Sequence, residues 1–132
     1  DAEPTPAVVA AGSVQHLASM VEGRLSRPPA SVLHLMAALH PTPAVGGWPR
    51  EAALELIAEL EAGGRGRYAG PVGWVDADGN GAWAVGIRGI EIQGRTATVH
   101  AGVGVVADSD PFAELEETRA KFAATLGSLT RL

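Results

Sequence analysis

The alternation of apolar and polar positions along the chain predicts strands before and after a helical section, followed by a further helix. Residues 1–12, which contain two prolines, are expected to form a flexible, extended lead-in, and residues 13–25 are expected to form a strand. Three more apolar stretches, residues 71–75, 82–93 and 96–106, are separated by short turn-forming segments. Joins this short predict an antiparallel meander of three strands.

Helical periodicity predicts three helices. Residues 30–39 are apolar on all sides, which is typical of a short, largely buried helix. Residues 50–62 form a second helix, which two glycines end, and Pro111 suits the first turn of a third. Residues 40–49 contain three prolines and two glycines, so regular structure is not expected there. The predicted fold class is α+β, with antiparallel strands packed on helices.

The second and third helices each carry a stripe that is expected to face the core: Ala53, Ile57 and Leu60 in one, and Phe112, Leu115, Phe122, Leu126 and Leu129 in the other. Glu114, Glu117 and Lys121 share a separate sector of the third helix, about 60° wide. Two carboxylates one turn apart can approach a divalent cation such as Mg²⁺. The helix alone favours the other interpretation, a solvated face with a Glu117–Lys121 ion pair.

Composition narrows the class of protein. The chain has 132 residues, enough for one domain, and its net charge is −5 with scattered basic residues, which argues against nucleic-acid binding. Lys121 is the single lysine, and no cysteine is present to form a disulfide or a thiolate metal site. No apolar run has transmembrane length, so a cytoplasmic protein without a membrane partner is expected.

Two segments resemble known ligand-binding motifs but lack part of each pattern. Residues 76–81 (D-A-D-G-N-G) resemble the start of a calcium loop, but Ile87 stands where the loop needs a bidentate Glu, so a hairpin turn is predicted. Residues 102–107 (G-V-G-V-V-A) match a dinucleotide fingerprint, yet no helix opens before Pro111. Bare backbone amides for an anion, or a bulged strand, both remain as interpretations of these glycines.

Single polar residues point to a small anion. Arg88 lies in an otherwise apolar predicted strand, where an unpaired guanidinium would cost several kcal/mol. Tyr68 is the single tyrosine and follows two arginines. His16, in mid-strand, is by residue chemistry more often structural, and the other three histidines (His34, His40 and His100) are interpreted as structural. The residues together predict a site for a polyanion, with a divalent metal.

Six blocks, taken in order, resemble the chorismate-utilising enzymes, which include anthranilate, aminodeoxychorismate, salicylate and isochorismate synthases. The blocks are V-Q-H-L (14–17), H-P-T-P-A-V-G-G-W-P-R (40–50), R-x-x-Y-A-G-P-V-G (65–73), I-R (87–88), A-G-V-G-V-V (101–106) and E-L-E-E-T-R-A-K (114–121). The resemblance runs from about residue 13 to the C-terminus and implies a chorismate-binding catalytic domain.

The resemblance also implies roles on the third helix. Glu117 would be a Mg²⁺ ligand, and Glu114 an outer or water-mediated partner of the ion. The metal would grip the ring carboxylate of chorismate. Lys121 would lie beside the same carboxylate.

Other blocks would hold the rest of the substrate. Tyr68 and Arg88 would bind the enolpyruvyl carboxylate, and the backbone at Gly102 and Gly104 would complete that anion pocket. His16 would lie near the ring carbon that loses its hydroxyl.

Ala44 is the position that discriminates within the family. Threonine is common there in the anthranilate and salicylate branches, whereas alanine resembles the isochorismate synthases, which use water as the nucleophile. The sequence therefore favours isochorismate synthesis. The alternatives are salicylate synthase, anthranilate or aminodeoxychorismate synthase component I, and a non-catalytic fragment that binds chorismate or Mg²⁺. Whether the product would feed a quinone or a siderophore stays open.

One departure from the family pattern is expected to limit activity. The family's general base, a lysine, and its general acid, a glutamate, lie in a preceding segment together with another metal-binding glutamate pair. The chain contains no such segment, so residues 13–132 are interpreted as an incomplete, C-terminal part of the larger layered catalytic domain. The chain alone is expected to lack efficient turnover and to self-associate through its exposed half-domain face.

Overall fold

Six strands form three separate two-stranded antiparallel sheets in this computed structural model, which describes residues 1–11 and 14–129. The pairs are β1 (Ala7–Ala11) with β2 (Val14–Ala18), β3 (Pro71–Val75) with β4 (Gly81–Val85), and β5 (Ile90–Gln93) with β6 (Thr96–Val99). Together with the helices they confirm the α+β class. The prediction of one three-stranded meander is wrong, because residues 86–89 leave strand geometry and divide the predicted strand 82–93 in two.

The chain forms two units, Asp1–Ser31 and Val32–Leu132. In the first, β1 pairs with β2 so that Val9 lies opposite His16, and the N-terminal ammonium donates a 2.6 Å hydrogen bond to the Glu22 carbonyl. Residues Ala7–Ala11, within the lead-in that the sequence predicts, thus belong to a hairpin. The strand predicted over 13–25 ends at Ala18, and residues 12 and 13 lie outside the described residues.

The second unit contains the helices α1 (Val32–Leu39), α2 (Pro43–Gly46), α3 (Arg50–Leu60) and α4 (Pro111–Leu129). Three of them confirm predicted helices, whereas α2 is a single helical turn inside the segment expected to be irregular. Arg50 ties α3 to the end of α1 by donating to the carbonyls of His40 (2.7 Å) and Ala38 (3.5 Å). A β-carbon on Gly47, whose φ is +78°, would lie only 2.7 Å from Ala53 Cβ, so this position needs glycine.

The apolar stripes of the helices are much more exposed than their periodicity predicts. Leu39 of α1, Leu60 of α3 and Phe112 of α4 are 70%, 71% and 78% exposed, while Ala53 and Ile57 are half-buried. Across the described ranges, Ala69 is the single buried hydrophobic residue. The predictions of a largely buried first helix and of core-facing stripes are therefore wrong for this chain, since no further layer of the described residues covers these faces.

The turn between β3 and β4 confirms the hairpin reading of residues 76–81. Asp76 Oδ1 accepts hydrogen bonds from the backbone amides of Asp78 (2.9 Å) and Asn80 (2.8 Å), and its Oδ2 accepts one from Asn80 Nδ2 (3.0 Å). These hydrogen bonds lower the pKa of Asp76, and the bond from the Asn80 side chain has the largest effect. The carboxylate is therefore engaged in closing the turn.

Among the described helices, none combines the length and the apolar character that crossing a membrane requires.

Candidate functional site

The N-terminus of α4 is tied to the segment before it by two side chains. Asp110 Oδ1 accepts a 2.8 Å hydrogen bond from the Ala113 amide and so caps the helix. Ser109 Oγ accepts a bond from the Val106 amide (3.0 Å) and donates one to Glu114 Oε1 (2.6 Å). Ser109 therefore fixes the Glu114 carboxylate against the glycine-containing segment 101–106.

Lys121 links the acidic face of α4 to the same segment. Its Nζ lies 2.7 Å from Glu117 Oε1, and it donates a 3.0 Å hydrogen bond to the Gly102 carbonyl. The Lys121 side chain is 26% exposed, against 57% for Glu117. The ion pair anticipated from the spacing is present, but it is anchored on one side by backbone.

The Tyr68 hydroxyl also lies close to Gly102. A β-carbon on Gly102 would lie 3.1 Å from the Tyr68 hydroxyl, so the glycine allows a close approach. The Tyr68 ring stacks on His100 with 5.2 Å between ring centroids and 19° between planes. Tyr68, Gly102, Lys121 and Glu117 form a continuous set, which we call the central cluster.

A cavity of about 440 Å³ opens beside the cluster. Tyr68 and His100 contribute to its wall with Ile87, Ile90 and Thr98. Its size is within the range of small-molecule sites. Its wall is largely polar, since Arg67, Glu91 and Gln93 also line it.

Arg65 contacts the Tyr68 ring and is itself held by hydrogen bonds. Its Nε and Nη2 donate to the two carboxylate oxygens of Glu61 (2.7 and 2.6 Å), and its Nη1 donates to the Val45 carbonyl (2.6 Å). Its guanidinium carbon lies 5.7 Å from the centroid of the Tyr68 ring. The hydrogen bond from Arg65 lowers the pKa of Glu61, and the bond to Glu61 raises the pKa of Arg65.

Sequence reasoning placed Arg65 in the block 65–73 without giving it a role, and it assigned His100 a structural role only. A signal for Arg65 exists in the spacing, because Glu61, Arg65 and Tyr68 follow one another at four and three residues. The contact with Val45, however, spans 20 positions and leaves no local pattern.

Four other predicted site residues are not among the members of the central cluster. Arg88 is not in a strand: it is half-buried between β4 and β5, at φ +55°, and its neighbours Ile87 and Gly89 line the cavity. The β-carbon position of Gly104 has nothing within 4 Å. Ala44 lies in α2, next to the residue that Arg65 holds, and His16 lies on β2 in the first unit.

Glu114 and Glu117 are one turn apart on α4, but within the described part of the chain no three His, Asp or Glu side chains gather as a metal site. Mg²⁺ in proteins is commonly held by one or two carboxylates, with water and substrate completing the octahedron. The two glutamates fit such a partial donor set.

Comparison with known proteins identifies relatives along almost the whole chain. A family model described as "Chorismate binding enzyme" matches residues 1–130. A putative isochorismate synthase MenF from Mycobacterium tuberculosis is 54% identical over 119 residues, covering 89% of this chain and 32% of that protein. Isochorismate synthase MenF from Bacillus subtilis is 46% identical over 124 residues, covering 94% of this chain and 26% of that protein.

A solved structure has the same backbone arrangement. The crystal structure of a putative 2,3-dihydroxybenzoate-specific isochorismate synthase, DhbC, from Bacillus anthracis superposes with a TM-score of 0.91 at 44% identity. The match covers 98% of this chain and 34% of that one. The chain thus spans about a quarter to a third of the length of the relatives it matches.

Proposed function

Because the chain belongs to the family of chorismate-binding enzymes, we propose that it forms the C-terminal, substrate-binding part of an isochorismate synthase. The observation that carries the proposal is the central cluster, in which the Lys121 ammonium contacts the Glu117 carboxylate and the exposed Gly102, and the Tyr68 hydroxyl lies close to the same glycine. Such a group suits a dicarboxylate that is bound together with a divalent cation.

The two carboxylates of chorismate would be held at opposite ends of the cluster. Lys121 binds the ring carboxylate, with Glu117 as a direct Mg²⁺ ligand and Glu114 as an outer one. When bound, Mg²⁺ supplies positive charge that stabilises the ring carboxylate. The Ser109–Glu114 hydrogen bond supports this assignment, because it keeps the second carboxylate oriented along the same helix face.

The enolpyruvyl carboxylate would be bound by Tyr68 and Arg88, with the backbone at Gly102 and Gly104. The stacking of Tyr68 on His100 restricts the ring and so aims its hydroxyl. Arg88 is part of this proposal because its neighbours line the cavity that Tyr68 borders.

In the reaction, water adds to the ring while the ring hydroxyl leaves as water, so that atoms balance between chorismate and isochorismate. A base takes a proton from the attacking water and an acid protonates the departing hydroxyl. We assign both groups to the segment that this chain does not contain. In this proposal, His16 would lie near the carbon that loses its hydroxyl, and Ala44 would leave space for water.

We further propose that the described residues are one part of a larger layered domain. The support is the exposure of the apolar faces of α1, α3 and α4, since monomeric proteins rarely leave so many large hydrophobic side chains in water. The remaining part would cover these faces and supply the base, the acid and the other metal glutamates. Such an enzyme is expected to be cytoplasmic.

The test is product analysis with the polypeptide that contains this chain and the remaining segment. With chorismate and Mg²⁺, isochorismate should be the main product, with no requirement for ammonium and without pyruvate release. Salicylate with pyruvate, or an aminated product, would overturn the isochorismate assignment within the family. Binding of chorismate without any turnover would favour the non-catalytic alternative.

A further inference from the structure

We propose that Arg65 is a positioning residue that holds the Tyr68 ring and the α2 turn in one arrangement, and so joins substrate binding to nucleophile placement. The inference rests on the proposed function for the roles of Tyr68 and Ala44. It concerns a side chain to which neither the sequence motifs nor the family resemblance gives a role.

Arg65 contacts groups in three parts of the structure. It donates two hydrogen bonds to Glu61 at the end of α3 and one to the Val45 carbonyl in α2, and its guanidinium lies beside the Tyr68 ring. The three hydrogen bonds are 2.6–2.7 Å long. One half-buried side chain therefore connects the end of α3 and the Tyr68 ring, both close in sequence, with the α2 turn 20 residues away.

Only an arginine can make these contacts at the same time. The guanidinium is planar and has five donors in a fixed fork, so it can serve a carboxylate, a carbonyl and a ring face at once. A lysine ammonium at the same place would keep the charge but lose the planar surface and the paired bonds to Glu61.

Arg65 restricts the movement of the Tyr68 ring and of the α2 turn. The Tyr68 ring contacts His100 through a stacked arrangement and Arg65 through a cation–π contact, so rotation of the ring disturbs both. The Val45 carbonyl belongs to the same four-residue turn as Ala44. Movement of Arg65 would shift the phenol and this turn together.

The test is a double-mutant cycle in the polypeptide that contains this chain and the remaining segment. We expect Arg65→Ala to raise the KM for chorismate about tenfold through misplacement of the Tyr68 hydroxyl. Because Tyr68→Phe already removes that hydroxyl, adding Arg65→Ala to it should change the KM by less than about twofold. Multiplicative effects of the two changes would overturn the inference.

Arg119→Ala is the matched control. It removes another short-range arginine–glutamate pair, with Glu116, on the exposed surface of α4. The KM should stay at the wild-type value. If Arg65→Ala prevents folding, Glu61→Gln is the alternative variant, because it keeps the arginine but weakens its hydrogen bonds. It should raise the KM by a smaller factor than Arg65→Ala. The same change made in the Tyr68→Phe protein should leave the KM unchanged. An equal factor in both backgrounds would overturn the inference.

A ring signal separates this inference from the proposed function. In protein labelled with ¹³C-tyrosine, the Tyr68 signal is the one lost in Tyr68→Phe, and the stacked His100 ring should displace it. Arg65→Ala should move it towards the free-tyrosine position, while Arg65→Lys should not restore it. An unmoved signal refutes the positioning role even if chorismate is converted, whereas a moved signal in a protein that does not convert chorismate refutes only the proposed function.

Discussion

The Tyr68 hydroxyl lies 3.1 Å from the point that a β-carbon on Gly102 would occupy. A contact this tight forces either the hydroxyl or the segment 101–106 to move in Gly102→Ala. We expect the KM for chorismate to rise about tenfold with little loss of thermal stability, since the hydroxyl is the flexible end of a side chain. Steady-state kinetics would show this. Gly127→Ala in α4, where a β-carbon meets nothing within 4 Å, is the control, and an equal KM increase in both variants would contradict the prediction.

Glu117→Gln should remove Mg²⁺-dependent turnover. The amide keeps the shape of the side chain but loses the charge that a hard cation requires, so kcat should fall by roughly 100-fold or more. Circular dichroism should stay unchanged, because the side chain is largely exposed. Glu116→Gln, one residue away and paired with Arg119, serves as the control. Unaltered activity and Mg²⁺ dependence in Glu117→Gln would refute the ligand assignment.

Ala44→Thr should depress isochorismate formation more than chorismate binding. A threonine would fill or redirect the space proposed for the attacking water, whereas Tyr68, Arg88 and the α4 face still hold the substrate. A change of this size in a pocket commonly alters rates by about 10-fold to 200-fold. The measurement is kcat and KM with product analysis, and Ala58→Thr on the exposed surface of α3 is the control. A proportionate loss of binding and turnover would argue against the assignment.

The Glu61–Arg65 pair should make stability depend on pH on the acid side. Its hydrogen bond to Arg65 lowers the pKa of Glu61 in the folded chain. The stabilisation is therefore complete above the unfolded-state pKa, about 4.3, and is lost as pH falls through the lower folded value. Urea unfolding between about pH 3 and pH 7 should show a difference of at most about 1 kcal/mol between wild type and Glu61→Gln, because both groups are partly exposed. The difference should vanish at the acid end, and a difference that grows there would contradict the sign.

The 132-residue chain by itself should self-associate and bind an apolar dye. Leu39, Leu60 and Phe112 are examples of large side chains left in water, and each described two-stranded sheet offers open edges. Sedimentation velocity at increasing concentration should reveal dimers or larger species. Phe112→Ser should reduce dye fluorescence. A clean monomer at high concentration without dye binding would count against the half-domain proposal.

Local signals in the sequence were sufficient to predict α1, α3 and α4, but not the single turn α2. Pro49, which caps the N-terminus, and the glycines that follow Leu60 define α3, and Asp110 before Pro111 defines the start of α4. Strands were harder to predict, because Arg88 adopts φ +55° within a run that reads as continuous β-structure. A periodic apolar stripe also shows that a helix face requires cover, but it does not show whether the same chain supplies that cover.

Some residues of the candidate site could be predicted from the sequence, and others could not. Tyr68, Gly102, Lys121 and Glu117 lie in motifs, and the structure brings these four together. The positions of His100 and Arg65 follow from long-range packing, since Tyr68 is 32 residues from His100 and Arg65 is 20 from Val45. No spacing rule connects residues so far apart.

The pairing of each strand with its neighbour in sequence has a consequence for the order of folding. Hairpins of this kind close within about 1–10 μs, because little chain entropy is lost in bringing adjacent segments together. Isolated two-stranded hairpins are at best marginally stable. The described strands should therefore form and dissolve repeatedly during synthesis, and cooperative folding should begin only when a slower, long-range pairing reaches their open edges.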